Sequence, residues 1–239
     1  MQILFHGSVP KHADAPMDNE DAYRVDAERG RVVVSDGASE SFDAKSWSRL
    51  LVDRFLDTGL THEGIAECVA AFAELHDPER LSWSRAAAFE RGSFGTLLVA
   101  QEGDDGGLEV TCIGDSLAVL TDGQTLLDQW PYDTADQFAQ KPVLLSTKPE
   151  LNAALTQDGG DNVLTATWKR GDLQGPVFLL CMTDALGAWL LANAQTGEVT
   201  ALEQLLEIRD EAALDALVVR EREAGAMRRD DSTLVIAAI

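Results

Sequence analysis

Basic residues are scarce in this chain: five lysines and fourteen arginines stand against 41 acids, for a formal net charge of −22. That balance excludes nucleic-acid recognition through a basic surface and sets the chain against anionic membranes. Cysteine is scarcer still. Cys68, Cys112 and Cys181 are odd in number, far apart and without CxxC spacing, so zinc-finger and disulfide-scaffold readings both fail. Cys112 and Cys181 lie inside apolar runs and read as small buried thiols in strands. No apolar run approaches the ~20 residues of a membrane span. The apolar stretch within Met1 to His6 is too short for a signal-peptide core. The expected setting is a reduced, cytoplasmic one. Several catalytic signatures are also missing: GxxxxGK[ST], GxGxxG after a strand, HExxH and GxSxG. The four histidines, His6, His12, His62 and His76, do not cluster.

What is present is an ordinary globular composition, 45% apolar and 25% charged, over 239 residues. Arg31 to Val34 is a short β-branched run closed by Asp36-Gly37. From Phe42 to Leu56 apolar residues recur at three- and four-residue steps, which predicts an amphipathic helix; a second follows with Thr61 as its N-cap. Phe94 to Ala100, Leu108 to Ile113, Leu117 to Leu120 and Thr125 to Leu127 are β-prone runs separated by turn signals and read as an antiparallel meander. Residues 130 to 160 carry little period and read as a loop excursion with one short helix. Val163 to Trp168 and Val177 to Met182 return as strands. Helices are expected near 185–194, 201–208 and 211–223, then a closing strand, Leu234 to Ile239, buried on both faces. Strands and helices cluster without βαβ alternation. The class is α+β, with sheets packed on each other and helices outside.

The chemistry sits in aspartates at strand ends. Val34 runs into Ser35-Asp36-Gly37, Ile113 into Gly114-Asp115-Ser116 and Met182 into Thr183-Asp184. Asp230-Asp231 precedes the closing strand, and Asn19-Glu20-Asp21 precedes Ala22 to Val25. Taken singly, each is a turn aspartate. Taken together, packed sheets bring these ends to one place, and clustered carboxylates repel unless a cation sits among them. An all-oxygen set without His or Cys favours Mg²⁺ or Mn²⁺ over Zn²⁺. Two such ions point to phosphoester hydrolysis.

Asn19-Glu20-Asp21-Ala22, Val34-Ser35-Asp36-Gly37, Gly92-Ser93, Gly114-Asp115-Ser116, Leu180-Cys181-Met182-Thr183-Asp184 and Asp230-Asp231-Ser232-Thr233-Leu234-Val235 occur in this order. The series resembles the PP2C (PPM) family of metal-dependent Ser/Thr protein phosphatases in its compact bacterial form. The resemblance implies one catalytic domain over residues 1–239 and a four-layer αββα sandwich, two antiparallel sheets flanked by helices. It implies two Mn²⁺ or Mg²⁺ ions and a weaker third. Asp36 would bridge the pair and the Gly37 carbonyl would bind one ion. Asp184 and Asp230 would hold the first ion, Glu20 and Asp21 would be direct or water-mediated ligands, and Asp115 with Asp184 would hold the third. A metal-bridging hydroxide would attack the phosphorus in line. The implied substrate is a phosphoserine or phosphothreonine protein, opposed by a bacterial Ser/Thr kinase, with neither nucleic acid nor membrane as partner.

Three positions depart from the family pattern. Pro16 stands where the family carries a phosphate-holding arginine, Ala38-Ser39-Glu40 follows Asp36-Gly37, and Ala185 follows Asp184. The nearest upstream bases, Lys11 and His12, are either a solvated pair or the replacement for the lost anchor, Lys11 as a point charge and His12 as a donor or proton source. The competing reading of the whole chain is a catalytically weak module of the same fold that binds a phosphoprotein or regulatory partner.

Overall fold

A computed structural model of the chain describes residues 1–156, 163–169, 171, 175–197 and 200–239. Its strands are β1 (Gln2–Val9), β2 (Ala22–Asp26), β3 (Arg31–Ser35), β4 (Phe94–Gly95), β5 (Leu97–Glu102), β6 (Leu108–Ile113), β7 (Leu117–Thr121), β8 (Leu126–Trp130), β9 (Leu145–Ser146), β10 (Leu164–Trp168), β11 (Phe178–Met182) and β12 (Ser232–Ala238). Its α-helices are α1 (Ala44–Thr58), α2 (His62–Leu75), α3 (Trp83–Arg91), α4 (Ala153–Thr156), α5 (Asp184–Gln195), α6 (Thr200–Glu207) and α7 (Glu211–Glu223). Two five-stranded antiparallel sheets result, one in the order β1-β12-β11-β7-β8 and the other β10-β6-β5-β3-β2.

Alternation along the strands builds the layers, because successive side chains point to opposite faces. In β3, Val32 and Val34 face the other sheet while Val33 packs under α1; in β11, Leu179 and Cys181 face inward while Leu180 and Met182 meet α5. Three apolar interfaces follow. Trp47, Leu51, Phe55 and Phe72 cover the β3–β5 side. Leu98, Val110, Leu120 and Val235 fill the space between sheets. Leu186, Leu190, Leu205 and Leu214 cover the β11–β12 side. This is the four-layer α+β sandwich expected from the sequence.

β12 lies between β1 and β11, and both its faces are apolar because Val235 turns to the facing sheet while Leu234 and Ile236 turn to the helices. Thr61 caps α2 as expected, its side chain accepting from the Gly64 amide. The three thiols are free and buried, and burial pushes that of Cys68 up to about 12. The expected meander is corrected. β5–β6 and β7–β8 are hairpins of different sheets, and Gly114-Asp115-Ser116 carries the chain from one sheet to the other. Gly114 has φ +97°, and a Cβ there would meet Thr96 Cγ2 at 2.7 Å. The signal was a real turn, but not a hairpin.

Two elements lack a sequence expectation, β1 and the exposed α3. The excursion after Trp130 holds two 3₁₀ turns, β9 and the short α4; its last residues, 157–160, lie outside the described residues. Among the described residues no helix is long and apolar enough to cross a membrane.

Candidate active site

One rim of the sandwich gathers the strand ends. Asp36, Gly37, Thr96, Asp115, Asp184, Arg228 and Asp230 line a cleft of about 380 Å³. Asp36 sits where β3 ends, held on both sides of its peptide: its N–H donates to Thr96 Oγ1 and its carbonyl accepts from the Thr96 N–H, both at 2.8 Å. The Thr96 hydroxyl also meets Ser116 Oγ at 2.7 Å, so one threonine ties the Asp36 and Asp115 turns together. Gly37 is obligatory on steric grounds. A Cβ there would lie 2.8 Å from the Ala44 carbonyl and 2.9 Å from that of Glu20.

Asp21 is buried close to Asp36, and its Oδ2 accepts from Thr183 Oγ1 at 2.9 Å and from Thr233 Oγ1 at 2.7 Å. Its other oxygen, Oδ1, has no hydrogen-bond partner, and neither has Asp184 Oδ1. Two buried, orphaned carboxylate oxygens at one site are costly unless something binds them. Glu20 stands at the rim, its N–H donating to Asp231 Oδ2 at 2.8 Å and its carbonyl accepting from Ser48 Oγ. Asp231 also accepts from the Lys11 N–H at 2.6 Å. It joins the β1–β2 connection to the start of β12.

The electrostatics follow from crowding. Burial, and then the facing charges of Asp21, Asp115 and Asp230, push the Asp36 carboxyl well above the ordinary range, against the pull of Arg228. Burial lifts Asp21 to about 7, opposed by the Thr233 and Thr183 hydroxyls. Asp115 is raised by burial with Arg228 opposing, and Glu20 by burial with the Ser39 hydroxyl and Lys11 opposing.

The structure thus brings Asp36, Gly37, Asp115, Asp184 and Asp230 to one cleft, with Asp21 buried near Asp36 and Glu20 near Ser39. Among the described residues no three carboxylates close into a finished coordination shell. They ring the cleft instead, and Arg228 Nη2 forms an ion pair with Asp184 Oδ2 and lies 3.5 Å from Asp230 Oδ2. The donor set still fits a hard divalent cation: every side-chain ligand is oxygen, two oxygens are orphaned, and repulsion favours a cation. Lys11 lies at the rim, Nζ 2.8 Å from Ser39 Oγ and 3.7 Å from Asp230 Oδ1. His12 is exposed, and among the described residues its ring makes no hydrogen bond or ion pair. Pro16 begins an exposed 3₁₀ turn.

Sequence reasoning missed two arginines. Arg228 lines the cleft, and Arg222 of α7 donates to the Pro10 carbonyl at 2.9 Å and to that of Asp230, holding the two loops together. The signal available was the Arg228-Arg229 pair directly before Asp230-Asp231, a basic doublet in an acidic chain.

No family model and no curated protein sequence matches the chain. Solved structures do. A bacterial serine phosphatase superposes with a TM-score of 0.62 at 14% identity, covering 99% of this chain and 98% of that one. The serine/threonine phosphatase Stp1 from Staphylococcus aureus gives 0.60 at 14% identity, over 100% and 97%. The catalytic domain of the serine/threonine protein phosphatase PstP, in complex with two manganese ions, gives 0.57 at 15% identity over the whole of both chains. The chain has the fold of these phosphatases, the PP2C fold that its ordered motifs resemble.

Proposed function

We propose that this chain is a metal-dependent phosphoprotein phosphatase that hydrolyses phosphoserine or phosphothreonine. The observation that carries the reading is the convergence of Asp36, Asp115, Asp184 and Asp230, from four separate strand ends, on one cleft, with the buried Oδ1 atoms of Asp184 and nearby Asp21 unpartnered. The fold shared with PstP, which holds two manganese ions, supports it.

Asp36, Asp184, Asp230 and the Gly37 carbonyl would hold two Mn²⁺ or Mg²⁺ ions, and Asp115 with Asp184 a weaker third. Bound there, the ions supply Lewis acidity and an activated water for attack on phosphorus. The chain's own contribution is positional. Thr96 keeps Asp36 and Asp115 at a set separation, Thr183 and Thr233 orient Asp21, and Asp231 and Arg222 hold the Glu20 and Asp230 loops in place. Neither a nucleophilic Ser nor Cys is needed, and the buried, protonated thiols are far from nucleophilic. The reading places the protein in the cytoplasm, opposite a Ser/Thr kinase.

Turnover of an aryl phosphate and of a phosphothreonine peptide, with Mn²⁺ and then with EDTA, tests it. Mn²⁺-dependent hydrolysis abolished by EDTA is expected; hydrolysis indifferent to EDTA, or none with either ion, overturns it. A second reading is favoured by the Arg228–Asp184 ion pair, which already neutralises part of the cleft. It is a phosphoprotein-binding module without turnover, and it predicts phosphopeptide binding unchanged by EDTA.

A further inference from the structure

We infer that Arg228 is the phosphate-binding residue of this cleft, gripping two oxygens of the phosphoryl group in a bidentate contact. The inference takes its ligand, a phosphate monoester, from the phosphatase reading. The cleft is lined by Asp36, Glu40, Asp115, Asp184 and Asp230, and Arg228 is the one cation among its lining residues. An anionic substrate entering such a cleft needs donors besides any metal ions, and a guanidinium fork matches phosphate geometry where a lysine offers only a point charge.

The position of Arg228 is built rather than incidental. Met227 before it is buried in the helix-side core, and its N–H donates to the Glu221 carbonyl. Two residues later the Asp230 carbonyl is held by Arg222 Nη2. The backbone is therefore anchored on both sides, and the side chain reaches the cleft. Both ion pairs of Arg228, to Asp184 and Asp230, run through Nη2. Nε and Nη1 make no hydrogen bond to any described residue, and the side chain is 45% exposed. The partly exposed guanidinium thus keeps donors that no described residue engages. Lys11 Nζ, by contrast, is engaged at the rim by Ser39, and Pro16 has no N–H to offer.

The test measures inorganic phosphate binding by calorimetry on the Mn²⁺-loaded protein, and KM and kcat on a phosphothreonine peptide, for wild type, Arg228→Gln and Arg228→Lys. Arg228→Gln should weaken phosphate binding and raise KM at least tenfold, about 1.4 kcal/mol, with kcat changed less. Mn²⁺ affinity should hold or tighten, because Asp184 and Asp230 lose a competitor. Arg228→Lys should recover less than half of the lost phosphate affinity. Unchanged phosphate binding in Arg228→Gln overturns the inference. So does full recovery by lysine, or a loss of Mn²⁺ affinity that matches the loss of phosphate affinity, since Arg228 would then be a strut for Asp184. Calorimetry needs no turnover, so an inactive wild type that still binds phosphate through Arg228 defeats the phosphatase reading and leaves this one standing.

Discussion

Thr233 donates its hydroxyl hydrogen to Asp21 Oδ2 at 2.7 Å, joining the closing strand to the residue before β2 across 212 positions of sequence. The same carboxylate oxygen takes Thr183, so both sequence-distant halves of the rim meet on Asp21. Thr233→Val keeps the shape of the side chain and removes the donor. It should lower stability by about 1–3 kcal/mol, the usual cost of an unmade buried hydrogen bond to a charged group. Urea unfolding at pH 8 reads this; a midpoint equal to wild type would mean that Asp21 does not depend on the contact.

Asp36→Asn separates site from scaffold. The change removes one of the carboxylates that repel across the cleft, so the EDTA-treated variant should melt higher than wild type at pH 8. If Asp36 holds the ions as proposed, Mn²⁺-dependent turnover should fall by two orders of magnitude or more. Undiminished turnover would remove Asp36 from the metal centre.

The pH dependence has a definite sign. Asp21, Asp36, Asp115 and Glu20 all have raised folded-state pKa values, Asp21 about 7 against an ordinary 3.8. Between these values the native protein binds more protons than the unfolded chain. The stability they contribute is full below their unfolded values, at about pH 4, and is lost as pH rises through the raised folded values, which for Asp21 is about 7. In EDTA the melting temperature should therefore fall from pH 5 to pH 8. Added Mn²⁺ should raise it, and by more at pH 8 than at pH 5. Equal Mn²⁺ shifts at the two pH values would contradict a cation among these carboxylates.

Lys11 and His12 divide cleanly. Lys11 Nζ reaches Ser39 and Asp230, so Lys11→Ala should raise KM about two- to threefold through the lost rim charge. His12 is exposed and its ring has no hydrogen bond or ion pair among the described residues, so His12→Ala should leave KM and kcat within error. Steady-state kinetics on one phosphopeptide decides both; a large kcat loss in His12→Ala would make it a proton source.

Local rules carried far where one strand or helix sufficed. β3, β11 and β12 were legible because unbroken apolar runs bounded by turn signals mark strands covered on both faces. α1 and α2 were legible because each buries a full apolar stripe, with Thr61 capping the second. α3 was not: it buries no residue and leaves Trp83 86% exposed, so no periodicity marks it. The Gly114-Asp115-Ser116 turn was visible, but a turn signal does not say whether the next strand pairs with the last or crosses to the facing sheet.

The site divides the same way. Strand-end carboxylates were readable because a β-branched run followed by Asp-Gly is a local pattern, and an excess of acids without clustered His or Cys already limits the chemistry to oxygen ligands. Which of fourteen arginines faces those carboxylates was not readable. Arg228 is singled out by the burial of Met227, the grip of Arg222 on the Asp230 carbonyl and the pairing of β12 between β1 and β11. Sequence alone determined the class of fold and the set of strand-end carboxylates, since both arise from neighbours along the chain. Tertiary structure decided which charge meets which, because that depends on contacts between segments far apart in sequence, as between Lys11 and Asp231, 220 positions from each other.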